Sequence, residues 1–306
     1  MDILIFIVSM GALIYGADFI IEQSEKIALK YNISSFVIGA TLVALGTSLP
    51  EMAVSMSASV KGSADIAVAN VIGSTIFNIS LVLGIVFLIS KKIKPDRDLF
   101  AKDSAWALFP ILIFILMGID GKLNMVDGLL FLLLMGAYLL FLINSNQVEE
   151  IDEDLAKEEF SWPKAIALLV LGFVFVIGGA DFAIDSAGNI AREFGISEWI
   201  IGLFLVAFGT SLPELIISVK SAMKNNADLA IGNIIGSNVA NFTMVLGLAS
   251  IVNPLNIDFN AYFFDIAAAT IATLMLVFIT ANKLYNKSAG IALMVVLGLV
   301  IQNTLA

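Results

Sequence analysis

Two hexapeptides in this 306-residue chain have the residue types and spacing to do chemistry together. They are Gly46-Thr47-Ser48-Leu49-Pro50-Glu51 and, 163 positions on, Gly209-Thr210-Ser211-Leu212-Pro213-Glu214. Each sets two hydroxyls, a proline and a carboxylate into an otherwise apolar stretch. Proline has no amide donor, and its ring crowds the carbonyl four residues back, here Gly46 or Gly209. The carbonyls from Ala44 to Thr47, and from Ala207 to Thr210, are therefore expected to leave helix bonding. Glu51 and Glu214 stand one turn beyond Thr47 and Thr210, so hydroxyl, carbonyl and carboxylate oxygens face one point in each copy. Two such sets can give the six or more oxygens that calcium takes; magnesium sheds water too reluctantly to suit them. Sodium uses the same oxygens with less charge. The competing reading of each glutamate is a protonated carboxyl that merely packs. Two copies beside two helix breaks favour function over it.

The third and eighth apolar stretches add Ser74 with Asn78 and Ser237 with Asn241, each pair four residues apart and so on one helix face. Serine and asparagine also bond helix to helix in membranes. Their register with the glutamates favours a place beside the ion. Asn70 and Asn233, at the starts of these stretches, read as structural. Asp18 and Asp181 fit a capping or interfacial role as well as a transport role.

Composition removes the alternatives. The chain has no histidine and no cysteine, which excludes zinc centres, haem ligation, Cys or Ser–His nucleophiles and disulfides. Any metal must be held by oxygen, as hard cations are. Net charge is −10 without a basic patch, a poor match for nucleic acid. With 59% hydrophobic and 14% charged residues, and a mean hydropathy of +0.99, the chain belongs in a bilayer.

The elements that must position these residues are membrane spans of about 20 apolar residues each. Ten are expected, at roughly 3–22, 36–60, 66–89, 104–119, 126–143, 163–184, 199–219, 228–252, 261–281 and 288–304. The first has no positive n-region before it and is expected to be retained rather than cleaved. Thirteen basic residues, among them Lys26, Lys30, Arg97, Lys220 and Lys224, fall on one side of this arrangement and three, Lys61, Lys122 and Arg192, on the other. The richer side is expected to be cytoplasmic, with both termini extracellular. Residues 144–162 carry seven acids and form the one solvated linker, an acidic cytoplasmic loop without EF-hand spacing.

The linker separates two halves, 1–143 and 163–306, that repeat one another at the same offset of 163. Asn70-Val71-Ile72-Gly73-Ser74 returns as Asn233-Ile234-Ile235-Gly236-Ser237, and Ala17-Asp18-Phe19 as Ala180-Asp181-Phe182. Five spans per half is an odd number, so the second copy is expected upside down. The expected fold class is therefore all-α: a polytopic membrane protein of ten transmembrane helices in two inverted five-helix repeats. Inverted repeats with a midplane site on broken helices are the architecture of secondary transporters. A channel lined by the same oxygens is the alternative, disfavoured by the strict two-copy inversion. An intramembrane enzyme has no residues to work with.

The two Gly-Thr-Ser-Leu-Pro-Glu blocks, each followed by a Gly-Ser-x-x-x-Asn segment, resemble the α-repeats of the calcium/cation antiporter superfamily, and within it the prokaryotic sodium/calcium exchangers. The resemblance covers nearly the whole chain. It implies ten helices, one calcium site among several sodium sites, and spans one and six moving as a pair against the other eight. It implies Thr47, Glu51, Thr210 and Glu214 as calcium ligands. Ser48, Ser211, Ser74, Ser237 and the carbonyls of Ala44 and Ala207 would serve sodium, with Asn78 and Asn241 completing the central site. Potassium-dependent relatives carry an acid where Asn241 stands, as do some archaeal sodium/calcium exchangers, and proton-coupled relatives vary the hexapeptide. Potassium- or proton-coupled calcium exchange thus remains the alternative to sodium coupling. Calcium and sodium would be cargo rather than cofactors, with no organic cofactor. The protein is expected to work as a monomer, in the cell membrane.

Overall fold

The computed structural model describes residues 1–89, 95, 97–145, 160–194 and 209–305. These form eleven helices: α1 (Asp2–Tyr31), α2 (Ser35–Thr47), α3 (Leu49–Val60), α4 (Ala64–Ile89), α5 (Leu99–Asp120), α6 (Met125–Asn144), α7 (Trp162–Glu193), α8 (Leu212–Met223), α9 (Ala227–Val252), α10 (Phe263–Ala281) and α11 (Lys287–Leu305). Besides helix, two dipeptide strands, Lys122–Leu123 and Leu255–Asn256, pair antiparallel. Eight of the described helices are long and apolar enough to cross a membrane, nine when the bent pair α2 and α3 counts as one. The expected span 199–219 begins outside the described residues, and its described part runs into α8. The acidic stretch from Glu149 to Glu159 also lies outside them.

Local sequence explains the ends. Asn32 closes α1 in the left-handed conformation (φ 58°), with the Ile33 amide donating back to the Ala28 carbonyl at 2.8 Å. Asn124 and Asp127 cap each other's backbone at the start of α6. Pro50 sits in the first turn of α3, and α2 meets α3 at 45°. Arg97, expected among the loop charges that set orientation, is instead buried. It donates to Asp103 and to the Ser145 hydroxyl, both at 2.9 Å, and lies over the Phe36 ring. A buried guanidinium keeps its place only with such complete pairing.

The apolar core falls into two clusters. One spans α2–α6 and α8–α11. The other joins α1 and α7 to a few side chains of α2, α8 and α9, such as Ile38, Leu212 and Leu229. The helices α1 and α7, equivalent in the repeat, pack along each other antiparallel: Asp2 meets Asn189, Ser9 meets Gly179, Gly16 meets Gly172, and Tyr31 meets Trp162. Backbones touch there, since a Cβ on Gly16 would stand 2.7 Å from the Gly172 carbonyl oxygen. At the centre, every residue from Ala227 to Ala240 of α9 is buried.

Candidate functional site

The first hexapeptide forms the break between α2 and α3, and the second, described from Gly209 on, leads into the start of α8. Ser48 and Ser211 leave helical geometry (ψ 6° and 3°), and Glu51 and Glu214 enter the first turns of α3 and α8. There the unpaired backbone amides of a helix start favour a negative charge. Both carboxylates are fully buried. Equivalent asparagines anchor the two starts: Asn70 donates to the Ser55 hydroxyl at 2.9 Å and Asn233 to the Ser218 hydroxyl at 3.0 Å. Asn70 also donates to the Glu51 carbonyl at 3.1 Å.

The two copies then interlock. The Ser74 hydroxyl of α4 donates to the Glu51 carboxylate at 3.4 Å and lies 3.5 Å from the Thr210 hydroxyl, which also faces Glu51. The Ser48 hydroxyl donates to Glu214 at 3.4 Å. Thr47 and Ser237 stand 3.4 Å apart. Glu214 is therefore met by a hydroxyl of the opposite half, and Glu51 by one of its own half that also touches Thr210 of the other.

One expectation is corrected in part. The Ala44 carbonyl, expected to leave helix bonding, still accepts the Ser48 amide at 3.0 Å. It also accepts the hydroxyls of Thr47 at 3.2 Å and Ser237 at 3.5 Å. Pro50 removes the donor opposite Gly46, two residues further on, so the break leaves the Ala44 bond standing. Ala207 lies outside the described residues.

Below the break, α4 and α9 each carry a π-helical segment, Phe77–Leu83 and Asn241–Val245, at matched positions of the repeat. Asn78 and Asn241 stand at these wider turns, which mark functional sites in many helices. The Asn78 amide donates to the Asn238 side-chain oxygen at 3.1 Å. Neither polar atom of the Asn241 side chain has a partner among the described residues. Sequence reasoning missed Asn238 and both π segments. The signal for Asn238 was an amide inside an apolar span where the first half has Thr75.

The arrangement leaves five buried oxygens with no donor among the described residues: Oε2 of Glu51 and Glu214, Oγ of Ser211, and Oδ1 of Asn78 and Asn241. Buried acceptors without partners are costly, and buried carboxylates more so. A hard cation is the kind of partner such oxygens take. Among the described residues no cluster of three or more acidic, histidine or cysteine side chains exists, so the site offers two charges and otherwise neutral oxygens. That donor set fits calcium or sodium.

Comparison with known proteins agrees with this chemistry. The family model described as sodium/calcium exchanger protein matches residues 1–144 and 164–305. The sodium/calcium exchanger MaX1 of Methanosarcina acetivorans is 31% identical, over 96% of this chain and 95% of its own. The putative antiporter CaxA of Alkalimonas amylolytica is 37% identical over 88% of each chain. A solved structure of the sodium-calcium exchanger NCX_Mj, soaked with zero Na+ and Ca2+, superposes with a TM-score of 0.85 at 33% identity, covering 99% of this chain and 98% of that one.

Proposed function

The chain belongs to the sodium/calcium exchanger protein family, and on that premise we propose that it exchanges calcium for sodium across the cell membrane by alternating access. Both ions would compete for one site between the two Gly-Thr-Ser-Leu-Pro-Glu copies. The observation that carries this reading is the group of buried, donor-free oxygens around Glu51 and Glu214. Two carboxylates are neutralised by one calcium or by several sodium ions, whereas the bare dianionic site is expensive. One ion then leaves as the other arrives.

Thr47, Glu51, Thr210 and Glu214 are the proposed calcium ligands. Ser48, Ser74, Ser211, Ser237 and the carbonyls of Ala44 and Ala207 are proposed for sodium, with Asn78 and Asn241 closing the centre. The ten-span count and the inversion of halves 1–143 and 163–306 belong to the same proposal. Its support is the antiparallel packing of α1 and α7, which hold the same place in the two repeats. The basic residues favour extracellular termini and a cytoplasmic linker, and the protein is proposed to act as a monomer. The amide at Asn241 favours sodium over potassium coupling.

Calcium-45 uptake by proteoliposomes under a sodium, a potassium or a pH gradient, imposed one at a time, tests this. Uptake is expected under the sodium gradient, and Glu51→Gln or Glu214→Gln should abolish it. Substantial flux in both variants would refute the site. Uptake driven by potassium or protons alone would refute the coupling.

A further inference from the structure

The two halves carry matching residues at the ends of α1 and α7 but do not make matching contacts. At one end α1 lies along α8. Lys220 donates to the Asp18 carboxylate at 2.6 Å and to the Ile14 carbonyl at 2.8 Å, and Lys224 stands 3.0 Å from the other Asp18 oxygen. The Asn226 amide donates to Glu25 at 2.9 Å. A shift by 163 positions converts these into the contacts that α7 would make with α3. Lys224 with Asp18 becomes Lys61 with Asp181; Lys220 with Asp18 becomes Ser57 with Asp181; Asn226 with Glu25 becomes Ser63 with Gly188. Only the first of the three survives as an ion pair.

That second set of contacts is not made. The α7–α3 pair has hardly any residues in contact, while α1 packs firmly on α8. Between α7 and the α2–α3 break lies a cavity of about 730 Å³, lined by Leu42, Leu45, Gly46, Leu49, Phe173 and Ile177 among others. Lys61 is exposed, as is Asp181 one turn beyond Ile177, and neither has an ion-pair partner among the described residues.

We infer that the two ends of the α1–α7 pair close in turn through two copies of one ion pair, Lys224 with Asp18 and Lys61 with Asp181, and that Lys220 biases the resting protein toward the first. The inference rests on the exchange reading above for its two alternating states. It follows from symmetry. In an inverted repeat, what one half does at one face the other half does at the opposite face in the alternate state. Where the halves differ, the two states differ in free energy, and populations follow. Lys220 adds a second cation to Asp18, and its counterpart, Ser57, adds none to Asp181. The closed face is the cytoplasmic one in the proposed orientation.

The absence of cysteine allows pairs of nitroxide labels to be placed without background. Labels at Glu22 and Met223 report the closed end, and those at their equivalents, Asp185 and Val60, the open end; all four side chains are exposed. Electron paramagnetic resonance distances in lipid nanodiscs are expected to be short at the first pair and long at the second. Lys220→Ser should raise the reversed population about threefold, the weight of one partly exposed ion pair. Lys220→Arg should leave the ratio as it is, and Lys220→Ser combined with Ser57→Lys should invert it. An unchanged ratio in the Lys220→Ser protein would overturn the bias. A second label pair that never shortens with sodium, calcium or neither would overturn the exchange of partners. Calcium-45 uptake is measured on the same unlabelled proteins. Loss of sodium-driven uptake in the wild-type chain counts against the exchange reading alone, because the distances test the ion pairs whether or not calcium moves.

Discussion

Glu51 and Glu214 hold the same position in two copies of one hexapeptide, yet their settings differ in telling ways. Both begin a short helix, both are fully buried, and both are held through an asparagine–serine bond of the same length within 0.1 Å. Around that common frame the two halves bond differently: Asn70 and Ser74 both bond Glu51, and among the described residues Asn233 makes no such bond to Glu214. Ser48 donates to Glu214, whereas the Ser211 hydroxyl, its counterpart, has no partner among the described residues. The Asn233 side-chain oxygen accepts the Thr47 hydroxyl at 3.3 Å, and no equivalent bond from Thr210 to Asn70 is made among the described residues. Features present in both copies are those an ion between them needs. Features present in one copy describe the state in which the two copies are caught.

Four experiments press on that distinction. The largest effect is expected at the shared carboxylates: Glu51→Gln and Glu214→Gln should each lower initial calcium-45 uptake at least about 100-fold, because each removes half the charge of a buried site. The two losses should agree within about twofold; a large inequality would show that the copies are not equivalent. Next come the close backbone approaches. Gly16→Ala puts a Cβ within 3.0 Å of three atoms, while at Gly179 the nearest atom is 3.0 Å away. Thermal unfolding in detergent should show Gly16→Ala losing about 2 kcal/mol and Gly179→Ala distinctly less. A similar loss in both would erase the asymmetry of the α1–α7 contact. Third, Asn233→Ala should weaken apparent calcium affinity about tenfold and Asn70→Ala about threefold, since Asn233 also holds the hydroxyl of Thr47, a proposed ligand, whereas the second bond of Asn70 goes to the Glu51 backbone carbonyl. The smallest contrast is Ser48→Ala against Ser211→Ala. An effect of about threefold on the half-saturating calcium concentration is expected for the first and less for the second. A reversed order would show that Ser211 carries the bond in the state that binds calcium.

Much of this was legible in the chain because a bilayer leaves few choices. The expected stretches 66–89, 126–143 and 228–252 differ from α4, α6 and α9 by two residues or fewer at each end, since hydrocarbon thickness fixes length and internal hydrogen bonding fixes the helix. The helix α1 outruns the expected 3–22 by more than two turns. Its polar end, with Glu25 and Lys30, stays helical by packing beside α7 and Asn226 rather than by hydrophobicity. The hexapeptides were legible because repetition picks out polar residues inside apolar spans. Asn238 was not, because its counterpart is Thr75. The π segments have no proline or glycine rule behind them; they arise where tertiary packing widens a turn. Arg97 read as a loop charge because its partners, Asp103 and Ser145, are 6 and 48 residues away along the chain.

The outward faces of α1 and α7 are coated with Ile3, Leu4, Ile7, Val8, Ile166, Leu171 and Phe182, all exposed. These two helices share a cluster of their own rather than the main core, so their bearing surface on the other side is acyl chain. A shift of the pair in the proposed cycle would therefore drag lipid with it. In the proposed exchange cycle, membrane viscosity and thickness would then enter the rate directly, and turnover should steepen with temperature across the melting of the surrounding lipid even where ion affinity does not change.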